Sequence, residues 1–190
     1  MKTSEALGFF FRYLRNPASI GAVCPSSRFL ARKIAAQYKN SVDENGVIAE
    51  LGSGTGAVTK YLLSDLPIKP ENLFCVEFDR ASAEILRSKF PRVNVANDSA
   101  ENIAAILGEN AARLKCVVSC LPLLSLPEEC AAAILKNVED VLPKGGLFSQ
   151  FTYNLASSPA AKYFSKMRPL KTVFALANVP PARVDVFEKI

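Results

Sequence analysis

The residues best placed to do chemistry are Glu50-Leu51-Gly52-Ser53-Gly54-Thr55-Gly56, where a β-rich run hands over to a helical stretch. Glycines at 52, 54 and 56 let the backbone turn tightly and approach a ligand where a Cβ would collide. The start of the following helix presents free N–H groups. The next β-rich run ends on a second acid, Glu77, in Cys75-Val76-Glu77-Phe78-Asp79, 27 residues after Glu50. A carboxylate there can accept hydrogen bonds from both hydroxyls of a ribose. Gly-x-Gly-x-Gly lacks the longer register that fits a pyrophosphate, so a nucleoside without a diphosphate is favoured over a dinucleotide. The plainer alternative for the same residues is a structural turn with a helix cap.

The side chains that are absent narrow the chemistry further. The chain contains no histidine, which excludes Ser-His-Asp and Cys-His catalysis, histidine-ligated zinc and a histidine general base. Its five cysteines are odd in number and lack a disulfide-framework spacing, and only Cys116 and Cys120 lie near each other. They read as buried reduced thiols, and no metal is expected. Reactivity must therefore come from a bound cofactor or from backbone and carboxylate groups.

The elements that must position the glycine turn follow from patterning. Val47–Leu51, Leu73–Phe78, Val93–Ala96, Leu114–Ser119 and Leu147–Tyr153 read as strands, with helical segments near 57–65, 80–89, 99–107, 127–141 and 158–167 between them. Asp79, Asp98-Ser99 and Pro127-Glu128-Glu129 are helix-start signals. Such alternation predicts a parallel sheet covered on both faces. After Pro169, the runs Thr172–Ala177 and Arg183–Glu188 flank Asn178-Val179-Pro180-Pro181 with no room for a helix, so they should pair antiparallel. A helix near 26–39, with Leu30, Ile34 and Tyr38 on one stripe, joins this body to the N-terminal arm. Ser26 and Ser27 either cap that helix or touch a ligand.

Charge divides the chain of 190 residues into an arm, 1–40, and a body, 41–190. Lys2, Arg12, Arg15, Arg28, Arg32, Lys33 and Lys39 face Glu5 alone in the arm, which carries +6 and leaves −1 for the rest of the net +5. Leu7, Phe10, Phe11 and Leu14 share one helical stripe, with Phe9 and Tyr13 off it. A basic, aromatic-rich amphipathic helix suits an anionic membrane surface. Two other readings stay open: docking on the protein's own core, and binding RNA phosphates. Arg12 and Arg15 interrupt the Phe9–Phe11 run before a signal-peptide core forms, and no apolar run approaches the roughly 18 residues that span a bilayer. The expected location is cytoplasmic, at the membrane periphery.

Glu50–Gly56 resembles motif I of the class I S-adenosylmethionine-dependent methyltransferases, over residues 20–190. The resemblance implies a Rossmann-like α/β fold, a seven-stranded, mostly parallel sheet with an antiparallel C-terminal hairpin. It also implies S-adenosyl-L-methionine as cofactor, held by Glu50, Gly52, Ser53, Gly54, Gly56, Glu77, Phe78, Asp98, Ser99 and Ser119. Among these, Glu77 matches the ribose acid, Phe78 the residue covering the adenine, and Asp98 the carboxylate that takes the adenine amino group. Tyr13–Pro17, Ile20–Ser27 and Val117–Pro127 resemble the bacterial phospholipid N-methyltransferases of the peripheral type, which act on phosphatidylethanolamine. Cys120 departs from that pattern, which has a glycine there. The ribosomal RNA adenine dimethyltransferases are the nearest rival, and a small-molecule methyltransferase is a further alternative. The rival's strand-four motif is Asn-Leu-Pro-Tyr; here Ser119, Leu121, Pro122 and Leu123 lack its aromatic ring, so nucleic acid is a poor partner and a phospholipid amine an acceptable one.

On that reading the acceptor nitrogen must present a lone pair in line with the methyl donor. The Ser119 hydroxyl and the Leu121 carbonyl are the polar atoms expected to orient it, with the proton lost to solvent. Tyr13 and Tyr153 are other candidates to receive it, and a structural role for Ser119 stays open.

Overall fold

A computed structural model describes residues 25–178 and 180–190. Of the expected arm, 1–40, residues 1–24, with the aromatic stripe, lie outside the described residues, as do the side chains of Ser26 and Ser27. The first helix, α1 (Pro25–Ala36), is followed by β1 (Val47–Leu51), α2 (Thr59–Asp65), β2 (Leu73–Val76), α3 (Arg80–Lys89) and β3 (Asn94–Ala96). After these come α4 (Ile103–Leu107), β4 (Leu114–Ser119), α5 (Glu128–Val141), β5 (Leu147–Thr152), β6 (Met167–Ala175) and β7 (Ala182–Lys189). The strands form one seven-stranded sheet in the order β3-β2-β1-β4-β5-β7-β6. Strands β3, β2, β1, β4 and β5 pair parallel, and β7 runs antiparallel between β5 and β6. The expected Rossmann-like sheet and terminal hairpin are both present.

Strand β2 is apolar throughout and β1 is broken only by Glu50, because both of their faces are buried; every residue of β1 and β2 is buried. On one face, Leu30, Ile34 and Tyr38 join Leu62, Ile48, Cys116 and Val118 in a core, so the stripe on α1 packs on the sheet itself. The Tyr38 hydroxyl bonds the Ser149 hydroxyl, tying the end of this segment to β5. On the other face, Ile134, Leu135 and Val138 of α5 cover Ala49, Leu51, Val117 and Phe148. Two of the predicted caps form: Asp79 accepts from the Ser82 N–H at 2.9 Å, and Ser99 from the Glu101 N–H at 3.3 Å. Cys75, Cys116, Cys120 and Cys130 are free thiols. Among the described residues no helix is long and apolar enough to cross a membrane.

The helix expected over 158–167 is corrected to a single 3₁₀ turn, Ala161–Tyr163. The buried carboxylate of Glu139 on α5 accepts the Ser165 and Lys166 N–H groups at 2.8 and 2.6 Å and the Ser165 hydroxyl at 2.9 Å. Phe164 stacks edge-on against Phe148 and Phe187, each at 5.2 Å. These contacts outbid a local helix and hold the chain extended into β6, which therefore starts at Met167 and not near Thr172. Pro169 is tolerated because β6 is an edge strand, and the register with β7 slips between Pro169 and Lys171.

Candidate active site

The glycine turn lies at the carboxyl end of β1, between β2 and β4. Gly52 donates to the Val76 carbonyl at 2.8 Å, and Cys120 donates to the Leu51 carbonyl at 2.8 Å, so the turn is pinned on both sides. Gly52 has φ of +72°, and a Cβ there would sit 2.8 Å from Leu121 Cδ2. At Gly56, with φ of +90°, a Cβ would run into the Phe90 ring and sit 2.8 Å from Leu86 Cδ1. The two glycines do different work: Gly52 lets the strand-four loop close in, and Gly56 lets α3 pack.

Glu77 is buried beside this turn. Its Oε2 accepts the Gly54 N–H at 2.7 Å and its Oε1 the Asp79 N–H at 2.8 Å. Burial pushes its carboxyl above the ordinary carboxylate range, and those two N–H groups offset the push only in part. Each oxygen keeps a lone pair for a further donor. Asn97 donates from Nδ2 to the Glu77 and Phe78 carbonyls at 2.9 and 2.8 Å, stapling the loop after β3 to the loop after β2. Asp98 accepts the Ser99 N–H at 2.7 Å and Asn102 Nδ2 at 2.8 Å.

These groups surround a cleft lined by Gly52, Glu77, Phe78, Asp98, Ser99 and Leu121, with Val76, Ala100, Leu126 and Ile134 as apolar walls. Glu50 is elsewhere. It is buried under the turn, accepting Thr59 Oγ1 at 2.6 Å, while its Oε1 has no partner among the described residues. Burial pushes its carboxyl up to about 7. Ser53 is buried and donates to the Glu50 carbonyl at 3.0 Å. Ser119 is buried at the end of β4 with its hydroxyl facing the Leu121 N–H at 3.4 Å; it does not line the cleft, whereas Leu121 does. Thus Gly52, Glu77, Phe78, Asp98, Ser99 and Leu121 come together, and Glu50, Ser53 and Ser119 form a layer behind them. Asn97 and Asn102 were missed as positioning residues. The Asn-x-x-x-x-Asn spacing around Asp98 carries a weak signal of such a loop.

A largely apolar cleft with one carboxylate just past the end of β2 and another on the loop after β3 has the chemistry to hold an adenosine, with apolar walls for the base and an acid for the ribose. The family described as methyltransferase domain matches residues 48–146, just over half of the chain and the whole of this cleft. The chain belongs to the class I S-adenosylmethionine-dependent methyltransferases. As a methyltransferase of this class it uses S-adenosyl-L-methionine. It is 30% identical over 180 residues, 92% of this chain and 91% of the other, to an ornithine lipid N-methyltransferase of Singulisphaera acidiphila. It is 39% identical to a ribosomal RNA small subunit methyltransferase A of Maridesulfovibrio salexigens, over 71 residues that cover 37% of this chain and 25% of the other. Its fold matches the N-methyltransferase NodS from Bradyrhizobium japonicum with bound S-adenosyl-l-homocysteine, at a TM-score of 0.71 and 14% identity over 88% of this methyltransferase and 89% of NodS.

The carboxyl edge of the sheet, where the methyltransferase's cleft opens, also exposes large apolar side chains. Phe78, Leu124, Tyr153, Leu155 and Leu176 follow β2, β4, β5 and β6 at that edge, and Leu124 and Leu176 are 66% and 68% exposed.

Proposed function

We propose that this methyltransferase transfers methyl groups to the primary amine of a membrane lipid headgroup, with phosphatidylethanolamine as the substrate and the peripheral surface of an anionic membrane as the place. In this reading Glu77 takes the ribose hydroxyls, Phe78 and Leu126 enclose the adenine, and Asp98 takes its amino group. Glu50 and Ser53 support the glycine turn from beneath. S-adenosylmethionine held in the cleft by these residues would supply an electrophilic methyl to the amine lone pair, its C–S pair returning to sulfur, and the nitrogen's proton would leave to solvent. The chain's own task is to seat the amine near the Leu121 carbonyl with its lone pair facing the donor.

The observation that carries the reading is likeness along almost the full chain to an enzyme named for methylating a lipid nitrogen. The apolar rim at the carboxyl edge supports it, because exposed Leu and Tyr beside the opening favour an acyl-chain boundary over water. The ribosomal RNA reading has support only in the shared 71 residues, and Leu123 leaves it without a ring to stack on a flipped base.

The test supplies labelled donor with vesicles of phosphatidylethanolamine, vesicles containing an ornithine lipid, or small-subunit ribosomal RNA. Label in either lipid supports the amine-lipid reading and its identity settles the headgroup, whereas label in RNA alone refutes it. Flotation on anionic vesicles should be lost when residues 1–15 are removed; equal recovery with neutral vesicles counts against membrane docking through the arm.

A further inference from the structure

The sheet carries a row of polar side chains that sequence alone does not align. Ser119, the last residue of β4, lies level with Gln150 of β5; Gln150 lies opposite Asp185 of β7, and Asp185 opposite Thr172 of β6. Laterally paired residues point to the same face, so these four form one line across four strands at the carboxyl edge, on the face covered by α5. At its near end, Leu51 is level with Ser119 and leads directly into the glycine turn.

Two members of the row have unused hydrogen-bonding capacity. Gln150 is buried, and its Nε2 donates to the Leu121 carbonyl at 2.8 Å and the Phe151 carbonyl at 2.7 Å. Its Oε1 has no partner among the described residues. Asp185 is also buried; its Oδ1 accepts Thr172 Oγ1 and Arg183 Nε, both at 2.7 Å, and its Oδ2 has no partner among the described residues. Residues directly opposite in an antiparallel pair hold their Cβ atoms about 4.5–5.5 Å apart. An orphaned acceptor in a protein interior is costly, and here the two facing residues of one cross-strand pair each carry one. Together they ask for a ligand that brings two N–H or O–H donors.

We infer that Gln150 Oε1 and Asp185 Oδ2 are the seat of the acceptor amine, an inference that rests on the amine-lipid reading above. A neutral primary amine has two N–H bonds and one lone pair. With both N–H groups held by this pair, the lone pair is the remaining direction. Gln150 ties the seat to Leu121, whose side chain packs on Gly52 in the cofactor cleft. Methyl transfer leaves a positive charge on nitrogen, and a carboxylate that accepts its N–H both binds the amine and stabilises that charge as it develops. Arg183 holds Asp185 in place from the other side and donates to the Leu155 carbonyl at 3.2 Å, linking the seat to the apolar rim. Each methyl group added removes one N–H, so the pair also ranks acceptors: primary amine best, secondary weaker, tertiary weakest.

The test uses the full chain with phosphatidylethanolamine and its mono- and dimethylated forms in mixed micelles. In wild type, KM, or the inhibition constant where no transfer occurs, should rise along that series. Gln150→Leu and Asp185→Asn should each raise KM for phosphatidylethanolamine by at least about tenfold and flatten the ranking, while S-adenosylhomocysteine binding by calorimetry stays within about twofold of wild type. A folded variant of either kind with unchanged KM overturns the inference and assigns the two oxygens to an ordered water only. If neither variant folds, the wild-type ranking decides, and equal constants across the three lipids overturn it. Wild type that methylates no amine lipid at all sinks the parent reading, an outcome distinct from an active enzyme indifferent to both substitutions.

Discussion

Replacing Glu77 with alanine separates ligand binding from folding, because the two pull on this carboxylate in opposite directions. In the free protein its burial is unfavourable to the charged form, and the Gly54 and Asp79 N–H groups return part of that cost. Truncation therefore removes a desolvation penalty together with two hydrogen bonds, and the melting temperature of the free protein should move only a little. Affinity behaves differently. A hydrogen bond to a charged partner contributes about 1.5–3 kcal/mol, so losing the ribose contacts should weaken S-adenosylhomocysteine by roughly 10- to 150-fold. Titration calorimetry on a variant whose circular dichroism matches wild type is the assay. With the ribose hydroxyls donating to the ionised carboxylate, as proposed above, binding would lower its proton affinity, and wild-type affinity should rise with pH through the acid range while the alanine variant shows no such rise. A folded Glu77→Ala protein that binds within about threefold of wild type would show that another group holds the ribose.

Glu50 offers a test on stability alone. Its folded carboxyl titrates at about 7 against an ordinary 4.5, so its protonated form is the one the fold prefers. That stability is fully present below about 4.5 and lost as pH rises through 7, a swing of about 3 kcal/mol. Glu50→Gln should remove the swing; urea titrations at pH 5 and pH 8 with the same difference in both proteins would refute it. Gly56→Ala drives a methyl into Phe90 and Leu86 at positive φ and should cost about 2–4 kcal/mol in denaturant unfolding; a loss under 1 kcal/mol would mean that α3 shifts freely.

The glycine turn, its acid and the strand–helix alternation were legible because each is a local pattern: three glycines within five residues, an acid ending a buried run, and short runs rich in β-branched and apolar residues between helical stretches. The tail hairpin was legible for a similar reason, since Pro180-Pro181 leaves no room for a helix. The segment 158–167 misled because its own composition favours a helix while Glu139, far away in sequence, claims its backbone N–H groups. The division of labour inside motif I was also hidden. Nothing in Glu50-Leu51-Gly52 says that the acid turns down toward Thr59 while the glycine faces the cleft. Least visible was the alignment of Gln150 with Asp185, which exists only because β7 inserts between β5 and β6.

The outermost strands of the sheet are both poor templates for further pairing. At one end β3 contributes only Asn94–Ala96. At the other, Pro169 removes a donor from β6 and the register slip beside it spoils the ladder, with Arg168 and Lys171 adjacent. A growing sheet needs a straight rim of free N–H and C=O groups, and such interruptions blunt it. The molecule can therefore present greasy side chains at one edge without inviting neighbouring copies to zip onto its flanks as fibrils do.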